Sequence, residues 1–239
     1  MNLNLNMNVK KKRDAGFTLL ELLIVISIIA ILSVALVLVL NPAEALRKSR
    51  DAQRISDLST MKTALGLYLT STSTPYLGSL TTNTACKASP TSAYVSGDDI
   101  FYSLPTSAGT LADTTLDGGS ASVPASVNVA SPSLTDGTGW IPVNFDTLTG
   151  GSPISNLPVD PVNALGTGDS VTSITSATLA YRYACAASPL TFEMDAVLES
   201  IAYTSSENKL TADGGNSTNY YEVGTNLKIM GATAGGVDF

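Results

Sequence analysis

Histidine is absent from the 239 residues, which removes the commonest general base and the commonest zinc ligand together. Cysteine occurs twice, at Cys86 and Cys185, a spacing that matches no metal or redox motif. Basic residues are scarce where most of the chain lies. Beyond Lys62, four bases (Lys87, Arg182, Lys209, Lys228) stand against fifteen acids, a net of −11. Nucleic-acid binding needs clustered Lys and Arg to neutralise phosphate, so no nucleic-acid partner is expected. There is no Gly-x-Ser-x-Gly turn, no P-loop and no set of metal ligands. Asp98 and Asp99 are adjacent, and neighbouring side chains of an extended chain point apart. Glu193 and Asp195 are expected on the solvent face of a strand. No catalytic residue is assigned, and an enzyme is not expected.

What the sequence does have is one long apolar run. From Phe17 to Leu40 the only ionisable side chain is Glu21. As a helix these 24 residues would extend roughly 36 Å, enough to cross a ~30 Å hydrocarbon core. Lys10, Lys11, Lys12 and Arg13 precede the run, and positive flanks stay cytoplasmic, so the bulk of the chain is expected outside. A secretory signal peptide is one reading, with "AEA" at 43 to 45 as its small-x-small site and Leu46 as the new terminus. The run is too long for it, since such apolar regions span about 7–15 residues. A plain single-pass anchor is a second reading; it leaves Glu21 unexplained, because a carboxylate inside a membrane costs a few kcal/mol unless paired or near the interface.

The third reading comes from the residues "KKKRDAGFTLLE", 10 to 21. Basic leader, glycine, aromatic, threonine, leucine and glutamate stand in the register of the type IV prepilin signal, and the chain resembles type IV pilins and pseudopilins. The resemblance implies a leader of residues 1–16, cut by a prepilin peptidase between Gly16 and Phe17. The new amine of Phe17 would then be N-methylated, with Glu21 at the family's assembly glutamate. A free α-amine is largely protonated at neutral pH, and a cation and a carboxylate entering a dry helix bundle each need a partner. Glu21 is therefore expected to receive the amine of the next subunit.

After the run, Asn41-Pro42-Ala43-Glu44 reads as a helix start, with Asn as N-cap and Pro at the first helical position. Apolar residues at Leu46, Ile55, Leu58, Met61, Leu65 and Leu69 keep helical spacing. The segment 17–69 is thus either one helix kinked at Asn41 and Pro42 or two helices abutting there, with 17–40 as membrane span and filament core. The family's helix-breaking proline usually stands earlier, near the place of Leu38 here. Arg47, Lys48, Arg50 and Arg54 read as a solvated face or as specific ion pairs.

Residues 70–239 are expected to form an extracytoplasmic domain. Up to about Thr138 the chain is rich in Ser, Thr, Ala and Gly, with short candidate strands in "AYVSG", "DDIFYSL" and "ASVNVA". Alternation over 178–184 and 190–198 predicts a hairpin turning at "CAASP", and a third strand is expected within 219–230. The amphipathic half of the helix would cover this sheet. The fold class is α+β: a long N-terminal helix on a C-terminal antiparallel sheet, which is also what the resemblance implies. The proline-rich "LPVDPVN", 157 to 163, is similar to the loop before the sheet in pseudopilins. Some of these bind calcium with loop oxygens; Asp160, Asp213, Asn216 and Glu222 are the candidates here, although Asp and Asn favour turns for local reasons too. Outside the cytoplasm Cys86 and Cys185 would form a disulfide; in an organism with little oxidative folding they would stay free thiols. "NST" at 216 to 218 matches a glycosylation sequon.

The function expected from this resemblance is that of a type IV pilus subunit or a related filament subunit. It would be stored in the inner membrane and assembled with other pilin subunits, as a homopolymer or mixed filament. A prepilin peptidase, a membrane platform protein and an assembly ATPase would serve it. A pseudopilin of a type II secretion or DNA-uptake system is the alternative within that class. A monomeric membrane-anchored surface domain that binds a ligand through its Ser/Thr-rich loops is the alternative outside it.

Overall fold

The structure, a computed structural model, describes residues 16–92, 94–95, 97–104, 110–113, 123–127, 131–170 and 174–231. The basic leader and parts of "AYVSG" and "ASVNVA" lie outside the described residues. The chain divides into two compact units, Met1–Ala43 and Glu44–Phe239.

The first unit is helix α1, Leu19–Leu40. Its 19-residue stretch Leu19–Val37 has a mean hydropathy of 2.9 and no buried positions within the chain. Phe17 and Leu19 are each 82% exposed, so the helix presents apolar side chains on every side. Its two serines return their hydroxyls to the helix backbone, Ser27 to Ile24 O at 2.8 Å and Ser33 to Ile29 O at 2.8 Å. That satisfies the polar groups a hydrocarbon environment would otherwise leave stranded.

The helix stops at Asn41, which is left-handed (φ 38°, ψ 72°). A residue before proline is pushed out of the right-handed helical region, and asparagine tolerates the left-handed one. Two helices therefore abut here: α2 runs Pro42–Ser71. Asn41 acts as the terminator of α1, where the sequence suggested an N-cap for α2.

In the second unit α2 buries Asp51, Arg54, Leu58, Met61, Ala64, Leu65 and Tyr68, a stripe at three- and four-residue steps. Each buried Leu or Met there contributes about 1.5–3 kcal/mol of apolar transfer. Strands β1 (Ile100–Tyr102), β2 (Thr110–Asp113), β3 (Val123–Val127), β4 (Tyr181–Ala187), β5 (Leu190–Ala196) and β6 (Tyr221–Gly224) form one sheet in the order β2-β3-β1-β4-β5-β6. β1 to β3 is parallel; the other pairs, including the series β1-β4-β5-β6, are antiparallel. The architecture is α+β.

One sheet face carries Tyr181, Tyr183, Phe192, Met194 and Ala196, which pack with Leu58, Met61 and Leu65 of α2 and with Trp140, Val143 and Phe145. The other face is covered too: Ile100, Tyr102, Ala184 and Ala186 pack with Ile174, Ile229 and Met230. This second layer corrects the expectation for Glu193 and Asp195. Both alternate away from α2 as the pattern requires, yet they are buried, 0% and 1% exposed. The hairpin turn is also shorter than expected, because Cys185, Ala186 and Ala187 remain in β4 and Ser188-Pro189 alone makes the turn.

Cys86 and Cys185 form a disulfide, Cα–Cα 4.6 Å. It ties the segment before β1 to the sheet, and the neighbouring backbone continues the attachment: Lys87 N donates to Cys185 O at 2.9 Å and Ala187 N to Lys87 O at 2.8 Å.

Candidate processing and assembly site

Gly16, Phe17 and Thr18 precede α1 without helical structure. Gly16 is exposed, and a Cβ built on it would meet nothing within 4 Å. Peptide cleavage needs an accessible backbone outside regular structure, and Gly16 and Phe17 are exposed and non-helical. The rival triplet Ala43–Ala45 lies inside α2, where the backbone is committed to helix.

Helix α1 begins with a reciprocal cap. Thr18 is extended (φ −79°, ψ 148°), and its hydroxyl accepts from Glu21 N at 3.2 Å. Glu21 reaches back, its Oε2 accepting from Thr18 N at 2.9 Å and from the Thr18 hydroxyl at 2.9 Å. The two residues thus satisfy one another at the helix start, where backbone N–H groups otherwise go unpaired. The sequence reading gives Glu21 an assembly role and no role in its own helix. The Thr-x-x-Glu spacing of a capping box was the signal available for this second role. Both bonds land on one oxygen, so Oε1 accepts no hydrogen bond among the described residues.

In the second unit the structure brings together charges that sequence reading scattered. Arg54, 0% exposed, donates to both oxygens of Asp160 (2.6 and 3.0 Å), to Asp51 (2.8 Å) and to Glu199 (2.7 Å). Arg50 meets the same Glu199 at 2.8 and 2.9 Å. Asp51 also accepts from Glu199 N and Ser200 N. Burial alone would lower the Arg54 pKa, but its three carboxylates outweigh that and hold the guanidinium charged. Glu199 is held below its ordinary value, first by Arg50 and then, against burial, by Arg54. Arg54, inside, and Arg50, at its edge, therefore tie α2 to the loops holding Asp160 and Glu199, while Arg47 and Lys48 remain exposed.

The four calcium candidates do not gather. Asp160 belongs to the Arg54 network, where its Oδ1 also accepts from Val162 N and Asn163 N. Asp213 and Asn216 lie in the loop before β6 and Glu222 in β6 itself, but Asp213 accepts from Gly215 N and Glu222 N, and Glu222 accepts from Ser217 N. The Asp160, Asp213 and Glu222 oxygens face N–H donors, the opposite of a cation cradle. Among the described residues no three acidic side chains converge as a metal site.

Glu222 instead faces a second buried carboxyl, Glu193. Glu193 Oε2 accepts from Ile229 N (2.6 Å) and Met230 N (3.0 Å), and Oε1 has no donor at ordinary hydrogen-bond geometry. Burial pushes Glu193 up to about 7. Burial, then the proton shared with Glu193 and its like charge, push Glu222 up to about 10. The pair holds at least one proton at neutral pH. On the same face Arg182 pairs with Asp195 and lies 3.6 Å from the centre of the Tyr220 ring.

Compared with known families, the chain matches the prokaryotic N-terminal methylation motif over residues 11–37. It carries the type IV pilin and pseudopilin signal. That match spans the end of the basic leader, the Gly16–Phe17 bond, the capping box and most of α1. No curated protein and no solved structure matches the chain. The signal fits a membrane-anchored precursor, whose apolar helix is long enough to span.

Proposed function

We propose that this chain is the precursor of a filament subunit, a type IV pilin or a pseudopilin, matured by cleavage between Gly16 and Phe17 and methylated on Phe17. The observation that carries the reading is the motif at 11–37 placed on an exposed, non-helical Gly16–Phe17 bond directly ahead of a capped apolar helix. A prepilin peptidase removes the leader. The subunit waits in the inner membrane with its globular domain outside. A platform protein and an assembly ATPase then move it into a polymer whose centre is packed α1 helices.

Leaving lipid for a bundle of like helices keeps the apolar surface of α1 away from water, so the transfer costs little in that term; close packing and polar pairing decide it. Glu21 supplies the pairing. Its Oε2 stays with Thr18, and its Oε1 is available for the ammonium of a neighbouring Phe17. Capping of one helix and receipt of another subunit's terminus are compatible because they use different oxygens. Misregistered subunits would bury an unpaired charge, and breaking a buried pair costs more than the pair itself contributes.

Mass spectrometry of the mature terminus tests the reading. The expected product begins at N-methylated Phe17. Material that retains Met1, or that begins at Leu46, overturns it.

A further inference from the structure

Outside the N-terminal element, the globular domain has an open cleft of about 490 Å3 whose walls include Ser79, Leu80, Thr84, Asp99, Phe101 and Pro142. Asp99 is pinned by its backbone, which donates to Ala85 O at 2.8 Å beside the disulfide. Gly137, in a left-handed conformation (φ 87°), closes another wall, and a Cβ there would overlap Leu80. The hydroxyls are braced: Ser79 bonds Thr82 at 2.8 Å, and Thr82 bonds Thr84 at 2.9 Å. This is a built surface.

Its charge is uncompensated. The neighbouring Asp98 spends its carboxylate on Val95 N at 2.9 Å. Asp99 makes no side-chain hydrogen bond or ion pair among the described residues, although it is half-buried, and burial first and Asp98 second make its ionised form costly. No basic residue lines the cleft. An occupant that offsets this must bring a cation, and the apolar walls Leu80, Phe101 and Pro142 suit an aliphatic stem. A carboxylate with hydroxyl oxygens and an apolar channel is the chemistry of a lysine side chain.

Among the described residues, one exposed cation is left without an acidic partner. Lys48 and Lys209 pair with Glu207, Arg47 with Glu44, Arg50 and Arg54 with Glu199, and Arg182 with Asp195. Lys87 Nζ donates to the carbonyls of Pro90 and Ile229, and Lys228 is half-buried. Lys62, on α2, is exposed and makes no ion pair among the described residues, and its neighbours Ser59, Thr63 and Gly66 are small. A helical polymer requires a heterologous contact, two different patches of the same chain that meet between copies.

We propose that the Asp99 cleft receives the Lys62 side chain of a second copy of this chain. The inference rests on the filament reading above and adds a contact between globular domains. A single pair of this kind is weak; repeated at every step of a polymer it sets register and rejects copies in which like charges would meet.

The test uses the full-length chain in cells that assemble it, with sheared filaments and membrane-held precursor measured separately. Asp99→Lys and Lys62→Asp should each lower filament yield about tenfold, the loss expected when a like-charge contact replaces an attractive one, with precursor levels unchanged. Co-expression of the two single variants should restore filaments to about half the wild-type yield or more, since each supplies the charge the other's patch now needs. Rescue in trans distinguishes a contact between copies from one within a chain. Wild-type yield from either single variant, or loss without rescue in the mixture, overturns the assignment. The second outcome points to a different lysine donor. A wild-type chain correctly cut at Phe17 but indifferent to these changes sinks this contact alone, whereas a wild type that never polymerises overturns the filament reading with it.

Discussion

Arg54→Met removes the cation at the centre of the tie between α2 and the loops holding Asp160 and Glu199. In the native domain it is held by four hydrogen bonds between 2.6 and 3.0 Å to three carboxylates. Asp51 and Asp160 are themselves 0% and 3% exposed, so the variant leaves two buried carboxylates without their counter-charge. Asp51 keeps the N–H groups of Glu199 and Ser200, and Asp160 keeps those of Val162 and Asn163, which softens the loss. Breaking one partner out of a buried ion cluster costs about 3–5 kcal/mol, and for a domain of this size about 1 kcal/mol moves Tm by roughly 2–4 °C. The expected shift is therefore roughly 6–20 °C downward. Trp140 reports it, being the sole tryptophan, 1% exposed and donating its Nε1–H to Pro158 O at 2.9 Å two residues from Asp160. Fluorescence melts of the full chain in detergent would give the number, with Arg54→Lys retaining charge but not the fork to Asp160 and falling between. A loss below about 1 kcal/mol, the scale of exposed pairs, would refute the view that this cluster fastens the helix to the domain.

The Glu193–Glu222 pair predicts a pH dependence. The folded domain binds protons that the unfolded chain releases near 4.3–4.5, so stability falls as pH rises from there through about 7 for Glu193 and toward about 10 for Glu222. Urea midpoints should drop between pH 5 and pH 8 by an amount equivalent to roughly 6 kcal/mol; Glu222→Gln, which keeps a donor toward Glu193 and an acceptor for Ser217, should flatten that slope, and an equally steep variant would contradict the assignment. Glu21→Gln keeps the oxygen that caps Thr18 but removes the charge, so the precursor should be inserted and cut at Phe17 yet yield no filaments. Assembly at the wild-type level would end the role given to Glu21.

The N-terminal third was legible because its physics is local. An unbroken apolar run, a basic flank and a glycine before an aromatic are enough to read a helix long and apolar enough to span a membrane, and the methylation motif at its start, without any distant contact. The Asn41-Pro42 break was equally local, since proline constrains the residue before it. The strands of the hairpin and β6 were found by period-two alternation, and which face of β5 meets α2 followed from the same pattern. What alternation does not encode is whether the opposite face is wet. Glu193 and Asp195 read as solvent residues, and only the return of the chain at Ile229 and Met230 places a second layer over them. The Arg54 cluster escaped for the same reason: Asp51, Asp160 and Glu199 are up to 148 residues apart, and no spacing rule joins them. β2 and β3 lie in a stretch of low apolar content, where a strand is held by its neighbours more than by its own residues.

The chain uses carboxylates in two opposite ways, and the difference follows from where each is needed. In the globular domain, acids are taken out of water only with a donor for almost every oxygen: Arg54 for Asp160, backbone N–H for Asp213, a shared proton for Glu222. These groups are spent on the fold. Glu21 and Asp99 are different, for each keeps oxygens without donors while sitting on an accessible surface. A protein that remained a monomer would gain nothing from leaving them so. In the proposed polymer such acids set register, because each would stay unsatisfied until a specific cation of another copy arrived, the terminal ammonium in one case and the Lys62 side chain in the other. In that polymer apolar α1 would supply attraction between subunits but no preferred offset along their length, since its exposed face is nearly uniform.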